Sequence, residues 1–151
     1  MFLIAHRGNF EGPCPEFENR PHYLMGGLEH DSDIHMEIDV WRKEGQLYLG
    51  HDYPQYKVND DFIVNARFWC HAKNLEAFEY MLKLPLIHCF WHQNDDFVLT
   101  SRGYIWTYPD KKLTKKSICV MPELQKMRFS SDIKIDSIAG ICSDFIKRYE
   151  N

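Results

Sequence analysis

No stretch of this 151-residue chain stays apolar for the roughly 20 residues that a bilayer-spanning helix needs. The opening apolar run lasts only to Ala5, where His6 and Arg7 end it. That pattern predicts neither a transmembrane segment nor a secretory signal peptide. Positive charge is not in excess: 18 Lys and Arg stand against 22 Asp and Glu, a net charge of −4. Nucleic acid is therefore not the default partner. Eight glycines, seven prolines and a 15% aromatic content exclude the disordered and fibrous classes. Cysteine is sparse and odd in number, at Cys14, Cys70, Cys89, Cys119 and Cys142. The Cys70-His71 pair and the His88-Cys89 pair with His92 fit no closed zinc spacing. Reduced, mostly buried thiols and a cytoplasmic location are the expectation.

What is present is ordinary for one globular domain spanning 1–151: 44% hydrophobic and 26% charged residues. Neither repeats nor linkers interrupt it. Residues 2–7 read as a buried strand and Pro21–His30 as a helix with proline in its first turn. Residues 35–42 alternate Met36, Ile38 and Val40 with Glu37, Asp39 and Trp41, the period of a strand. A turn at 43–46 leads to a short strand at 47–49. Phe68–Ala72 reads as a strand and residues 75–84 as a helix, with Leu75, Phe78, Met81 and Leu82 at helical spacing and Pro85 as its stop. Strands follow at 87–92, 97–100, 104–107, 117–121 and 139–143. The four lysines within 111–116 read as a solvated loop. The opening strand–helix–strand order argues a parallel α/β fold. We expect a compact, reduced (β/α) TIM-type barrel with seven or eight strands and several outer helices missing.

Polar residues gather just after the apolar part of each strand: His6-Arg7, His51-Asp52, Lys73, His92, Trp106, Glu123 and Asp144. In a barrel such positions share one mouth. Polar loops after strands are also common without any site. Glu37 and Asp39 are different, because they lie inside an apolar strand, on one face, two residues apart. Two such carboxylates repel each other unless a cation lies between them, and a divalent metal ion suits them.

These residues resemble the glycerophosphodiester phosphodiesterases, in the wider group that includes phosphatidylinositol-specific phospholipase C. Ile4-Ala5-His6-Arg7-Gly8 is similar to that family's His-Arg-Gly strand, and Glu18-Asn19 to its Pro-Glu-Asn motif with two residues inserted after Pro15. Glu37-Ile38-Asp39 resembles its Glu-x-Asp metal strand, and His51-Asp52 its second His-Asp motif. Downstream the likeness is thinner: His71-Ala72-Lys73, Trp106-Thr107 and Gly140-Ile141-Cys142-Ser143-Asp144. The chain is much shorter than the family's usual barrel of roughly 250 residues.

The resemblance implies a metal-dependent phosphodiester hydrolase of phospholipid metabolism, acting on a small-molecule phosphodiester. His6 and His51 would be the acid–base pair, with Arg7 and Lys73 on the phosphate charge. Glu37 and Asp39 would hold one divalent metal ion, Mg²⁺ or Ca²⁺ by resemblance. The family carries an acid where this chain has His71. A nitrogen there shifts preference toward Mn²⁺, Zn²⁺ or Fe²⁺; alternatively His71 only hydrogen-bonds nearby. Glu18 either orients Arg7 or reaches the metal. Trp106, Glu123 and Asp144 are candidates for the substrate mouth. A non-catalytic phosphoryl-ligand barrel and a lyase forming a cyclic phosphate are the alternatives, and the sequence leaves the oligomeric state open.

Overall fold

A computed structural model of the chain describes residues 1–125 and 137–150. The apolar run at the start forms β1 (Phe2–His6), and Pro21–His30 forms helix α1 as its leading proline dictates. The long alternating segment is β2 (Ile34–Lys43). It turns back at Glu44 and Gly45, both at positive φ, into β3 (Gln46–Leu49). A further hairpin strand β4 (Tyr56–Val58) and a one-turn helix α2 (Asp60–Ile63) lead to β5 (Phe68–Ala72). Helix α3 (Leu75–Leu82) starts at Asn74, whose side chain accepts from the Ala77 amide and also bonds the backbone of Arg42. Strands β6 (Cys89–Trp91), β7 (Phe97–Leu99), β8 (Ile105–Thr107), β9 (Ser117–Val120) and β10 (Gly140–Ser143) complete the sheet.

The expected (β/α) barrel does not form. The ten strands make one curled, mixed sheet, a half-barrel in which helices do not alternate regularly with strands. Seven strands run parallel in the order β6-β5-β2-β1-β10-β9-β8, while β3, β4 and β7 join antiparallel. The physical reason is the length of the links. Residues 108–116 between β8 and β9 fall short of the roughly dozen residues a helical crossover takes. Residues 92–96 and 100–104 carry no helix either. Among the described residues no ladder joins β6 to β7 or β8. Instead Phe90 on β6 stacks on Trp106 of β8, centroids 4.5 Å apart, and one backbone bond runs from Ser101 to Cys89.

Strand alternation sorts the side chains onto two faces. Ala5, Met36, Ile38, Phe68 and Cys70 cluster with Leu24 and Leu28 of α1 and Ala77 and Met81 of α3. Ile4, Trp69, Phe90, Trp106, Ile118, Val120 and Cys142 fill the concave face. The expected apolar face of α3 is only partly right: Leu75 and Leu82 are exposed, and Ala77 and Met81 are the buried pair. All five cysteines are free thiols, and four are buried. Among the described residues no helix is long and apolar enough to cross a membrane.

Arg67 ties this arrangement together. Its guanidinium donates to the carbonyls of Leu28 and Asp31 at the end of α1 and of Ile34 in β2, at 2.8, 2.7 and 3.2 Å. Carbonyls at a helix end have no partner within the helix. Arg67→Met is expected to lower stability by about 2 kcal/mol, read as a lower urea midpoint. An unchanged midpoint would remove Arg67 from the fold's supports.

Candidate functional site

The alternation that buries Ile4 and Trp69 on the concave face carries His6, Glu37, Asp39 and His71 to the same side. Parallel register sets His6 beside Glu37 and Asp39 beside His71. Above the aromatic floor lies a cavity of about 350 Å³ lined by His6, Arg7, Glu37, His51, His71, Lys73, Trp106 and six others. Larger hollows exist elsewhere, one of them a shallow apolar groove beside α1. The chemistry is concentrated in the smaller one.

Glu37 and Asp39 are 2% and 1% exposed. Burying two carboxylates unpaired costs several kcal/mol per ion, so positive groups converge on them. Arg7 Nε is 3.3 Å from Asp39 Oδ2, Lys73 Nζ 3.5 Å from Asp39 Oδ1, and His71 Nδ1 3.1 Å from Asp39 Oδ1 and 3.6 Å from Glu37 Oε1. Asn19 grips Asp39 from behind: its Nδ2 donates to Oδ2, and its Oδ1 accepts from the Asp39 amide, both at 2.9 Å. Burial pushes the Asp39 carboxyl up, yet His71, Lys73 and Arg7 hold it well below the usual carboxylate range. For His71, burial opposes the charged ring, but pairing with Asp39 and Glu37 raises it to about 9.

Among the described residues, Glu37, Asp39 and His71 form the one group of three or more such side chains able to close on a metal ion, with ligand atoms within 4.8 Å of one another. The Cys70, Cys89, His88 and His92 side chains do not join them. His71 Nε2 meets the His92 carbonyl at 3.2 Å, and a carbonyl only accepts, so Nε2 carries the hydrogen. Its Nδ1 therefore faces two carboxylates and needs a positive charge between them, either its own proton or a cation. Asp39 Oδ1 is buried and accepts no hydrogen bond of good geometry despite its close cations. That orphaned oxygen, with one nitrogen and a second carboxylate beside it, fits a divalent ion. The His92 carbonyl supplies the outer support typical of a metal-binding histidine.

The rest of the site hangs on local backbone. Arg7 and Gly8 adopt positive φ, 52° and 87°, and a Cβ at Gly8 would press on Leu24 and Tyr23. The turn begins where β1 ends, after the Arg7 amide has bonded the Glu37 carbonyl at 3.0 Å. His6 Nδ1 pairs with Asp144 Oδ1 at 2.8 Å, and His6 Nε2 lies 3.9 Å from Glu37. Burial lowers the His6 pKa, but Asp144 and Glu37 outweigh it and leave it raised. His51 sits at the rim, 41% exposed at the side chain, with Nδ1 on Asp52 at 2.7 Å. Its loop is held by Trp41 Nε1, which donates to the Gly50 carbonyl at 2.6 Å.

Of the residues singled out from sequence, His6, Arg7, Glu37, His51, His71, Lys73 and Trp106 line the cavity, with Asp39 packed against them. Glu18 bonds Arg7 Nη1 at 3.1 Å and, like Asp144, lines an adjoining recess shared with His6 and His51. Glu123 stands behind, accepting from the Ser143 hydroxyl and the Asp144 amide. His92, one of the strand-end polar residues noted in the sequence, and Asn19 complete the surroundings with Asn9 and Tyr108, which the sequence did not single out. The Asn19 signal was its place beside Glu18. His92 stacks on Tyr108 at 4.0 Å, and burial followed by His71 lowers its pKa to about 4.

His71→Ala is expected to weaken Mn²⁺ binding ~10-fold or more by calorimetric titration. Mn²⁺ affinity of the parent should rise with pH and level off near pH 9, since the ion must displace the His71 proton below about 9. His71→Glu should gain Mg²⁺ and Ca²⁺ affinity relative to Mn²⁺ and Zn²⁺. An Ala variant binding Mn²⁺ as tightly as the parent would take His71 out of the cation site. No protein-family model, no curated protein and no solved structure matches the chain.

Proposed function

We propose that this chain is a phosphodiesterase that cleaves a small-molecule phosphodiester in the cavity above Glu37, Asp39 and His71. The observation that carries the reading is a shared feature of two histidines on one cavity. His6 and His51 each have Nδ1 tied to an aspartate, Asp144 and Asp52, which leaves Nε2 as the atom free to exchange a proton. An imidazole oriented in this way is the arrangement general acid–base catalysis uses.

In the reaction one ring takes the proton of the attacking hydroxyl at Nε2. The other gives its Nε2 proton to the oxygen that leaves phosphorus. Arg7 offers a planar fork and Lys73 a point charge to the non-bridging oxygens. Glu18 and Asp39 aim the Arg7 guanidinium, with contacts of 3.1 and 3.3 Å. A divalent ion held by Glu37, Asp39 and His71 would neutralise phosphate charge when bound. Trp106, 3% exposed and stacked on Phe90, closes the floor against water from below. The attacking hydroxyl belongs either to water or to the substrate's own alcohol. Labelled oxygen from water enters the product in the first case only.

The test is a screen of phosphodiesters with Mg²⁺, Ca²⁺, Mn²⁺ and Zn²⁺ supplied in turn. His6→Ala and His51→Ala are each expected to lower turnover by ~10²–10⁴-fold. Their combination should cost much less than the product of the two, because both serve one proton cycle. Full activity in either single variant would sink the proposal, and tight binding of a phosphodiester without turnover would favour a ligand-binding role.

A further inference from the structure

One buried side chain joins the two halves of this site without touching the cavity. Asn9 is wholly buried, two residues past Arg7. Its Oδ1 accepts from the Cys14 amide at 3.1 Å, which fixes the amide's orientation. Its Nδ2 then lies between two carboxylates, 2.7 Å from Asp144 Oδ1 and 2.9 Å from Glu18 Oε1. An amide nitrogen carries two hydrogens, one for each acceptor. The same two carboxylates hold the groups that face the cavity. Asp144 Oδ1 pairs with His6 Nδ1, and Glu18 Oε2 accepts from Arg7 Nη1. The contacts therefore run unbroken from His6 through Asp144, Asn9 and Glu18 to Arg7.

We propose that Asn9 is a positioning residue that couples the orientation of the His6 ring to that of the Arg7 guanidinium. Its catalytic consequence rests on the phosphodiesterase reading; its geometry does not. A buried aspartate of the same shape would set a third carboxylate against Asp144 and Glu18. A serine hydroxyl has one hydrogen and serves only one of them. The amide is the group that donates to both carboxylates at once and leaves each facing its own partner, Asp144 toward His6 and Glu18 toward Arg7. Removing it frees Asp144 to turn from His6 Nδ1, and the ring loses its reason to keep Nε2 bare.

The coupling is read by nitrogen NMR of the neutral His6 ring at alkaline pH, assigned by its loss in His6→Gln. Glu18 makes no direct contact with His6 among the hydrogen bonds and ion pairs described. Glu18→Ala in the parental chain should nevertheless shift the His6 nitrogens away from the pure Nδ1–H form, and the same change made in Asn9→Ala should add no further shift. With bis(p-nitrophenyl) phosphate as probe, Asn9→Ala should lower kcat ~10-fold or more through misplacement, while Mn²⁺ affinity stays at the parental value. The proposal is overturned if Glu18→Ala leaves the His6 signals unmoved, or moves them equally in both backgrounds. If Asn9→Ala does not fold, Asn9→Ser supplies the background and the parental Glu18→Ala arm still decides. A parent that turns over no phosphodiester removes the proposed function and leaves the NMR cycle to judge the coupling.

Discussion

The structure is organised around two buried negative charges on the concave face of one apolar strand. Glu37 and Asp39 are tolerated in the interior because neighbouring elements bring them partners. β1 ends in a left-handed turn that delivers Arg7, β5 delivers His71, the residue after β5's last turn of sheet delivers Lys73, and Asn19 reaches in from a loop at positive φ. The partners come from three segments, the end of β1, the end of β5 and the loop before α1, so the carboxylates act as the point where the sheet's register and its loops must agree. Non-glycine residues at positive φ are uncommon, and here Arg7 and Asn19 both serve Asp39. Such backbone tends to collect at functional sites.

The two histidines occupy contrasting surroundings. His6 is largely enclosed, its ring braced by Asp144 beneath and Glu37 in front. His51 hangs at the rim beside an aspartate that is itself 81% exposed. An enclosed ring keeps a fixed direction, whereas a rim ring follows its loop. In the proposed reaction, that division would let one ring stay with the phosphate while the other meets a group that arrives and departs.

Much of this was readable in the residues. Pro21–His30 and Phe68–Ala72 match their helix and strand end to end, because the leading proline marks the helix start and the Phe-Trp-Cys run is apolar and aromatic enough to mark a buried strand locally. The Glu37-x-Asp39 pair stood out because acids inside an apolar strand contradict the pattern around them. Other features were not local. β4 and α2 are too short to leave a periodic trace. The sheet remains a half-barrel because of what its short links omit, and no strand motif encodes that. Asn9 resembles any loop asparagine until Asp144, 135 residues away, folds against it. The exposed face of α3 was misassigned because Leu75 and Leu82 lie over no neighbouring strand, while small Ala77 lets the helix sit close to the sheet.

The central position of β1 has a consequence for synthesis. This strand leaves the ribosome first among the ten yet pairs in parallel with β10, which leaves last. Until β10 arrives, one side of β1 is an open edge of unpaired amides and carbonyls, the kind of surface that recruits stray strands. His6 likewise waits for Asp144 across 138 residues. Contacts this distant slow folding, and partly made chains carry exposed apolar strands meanwhile. The His6 ring thus gains its brace only after β10 has joined β1, whereas the carboxylates and their cations all lie within residues 7–73 and meet without it.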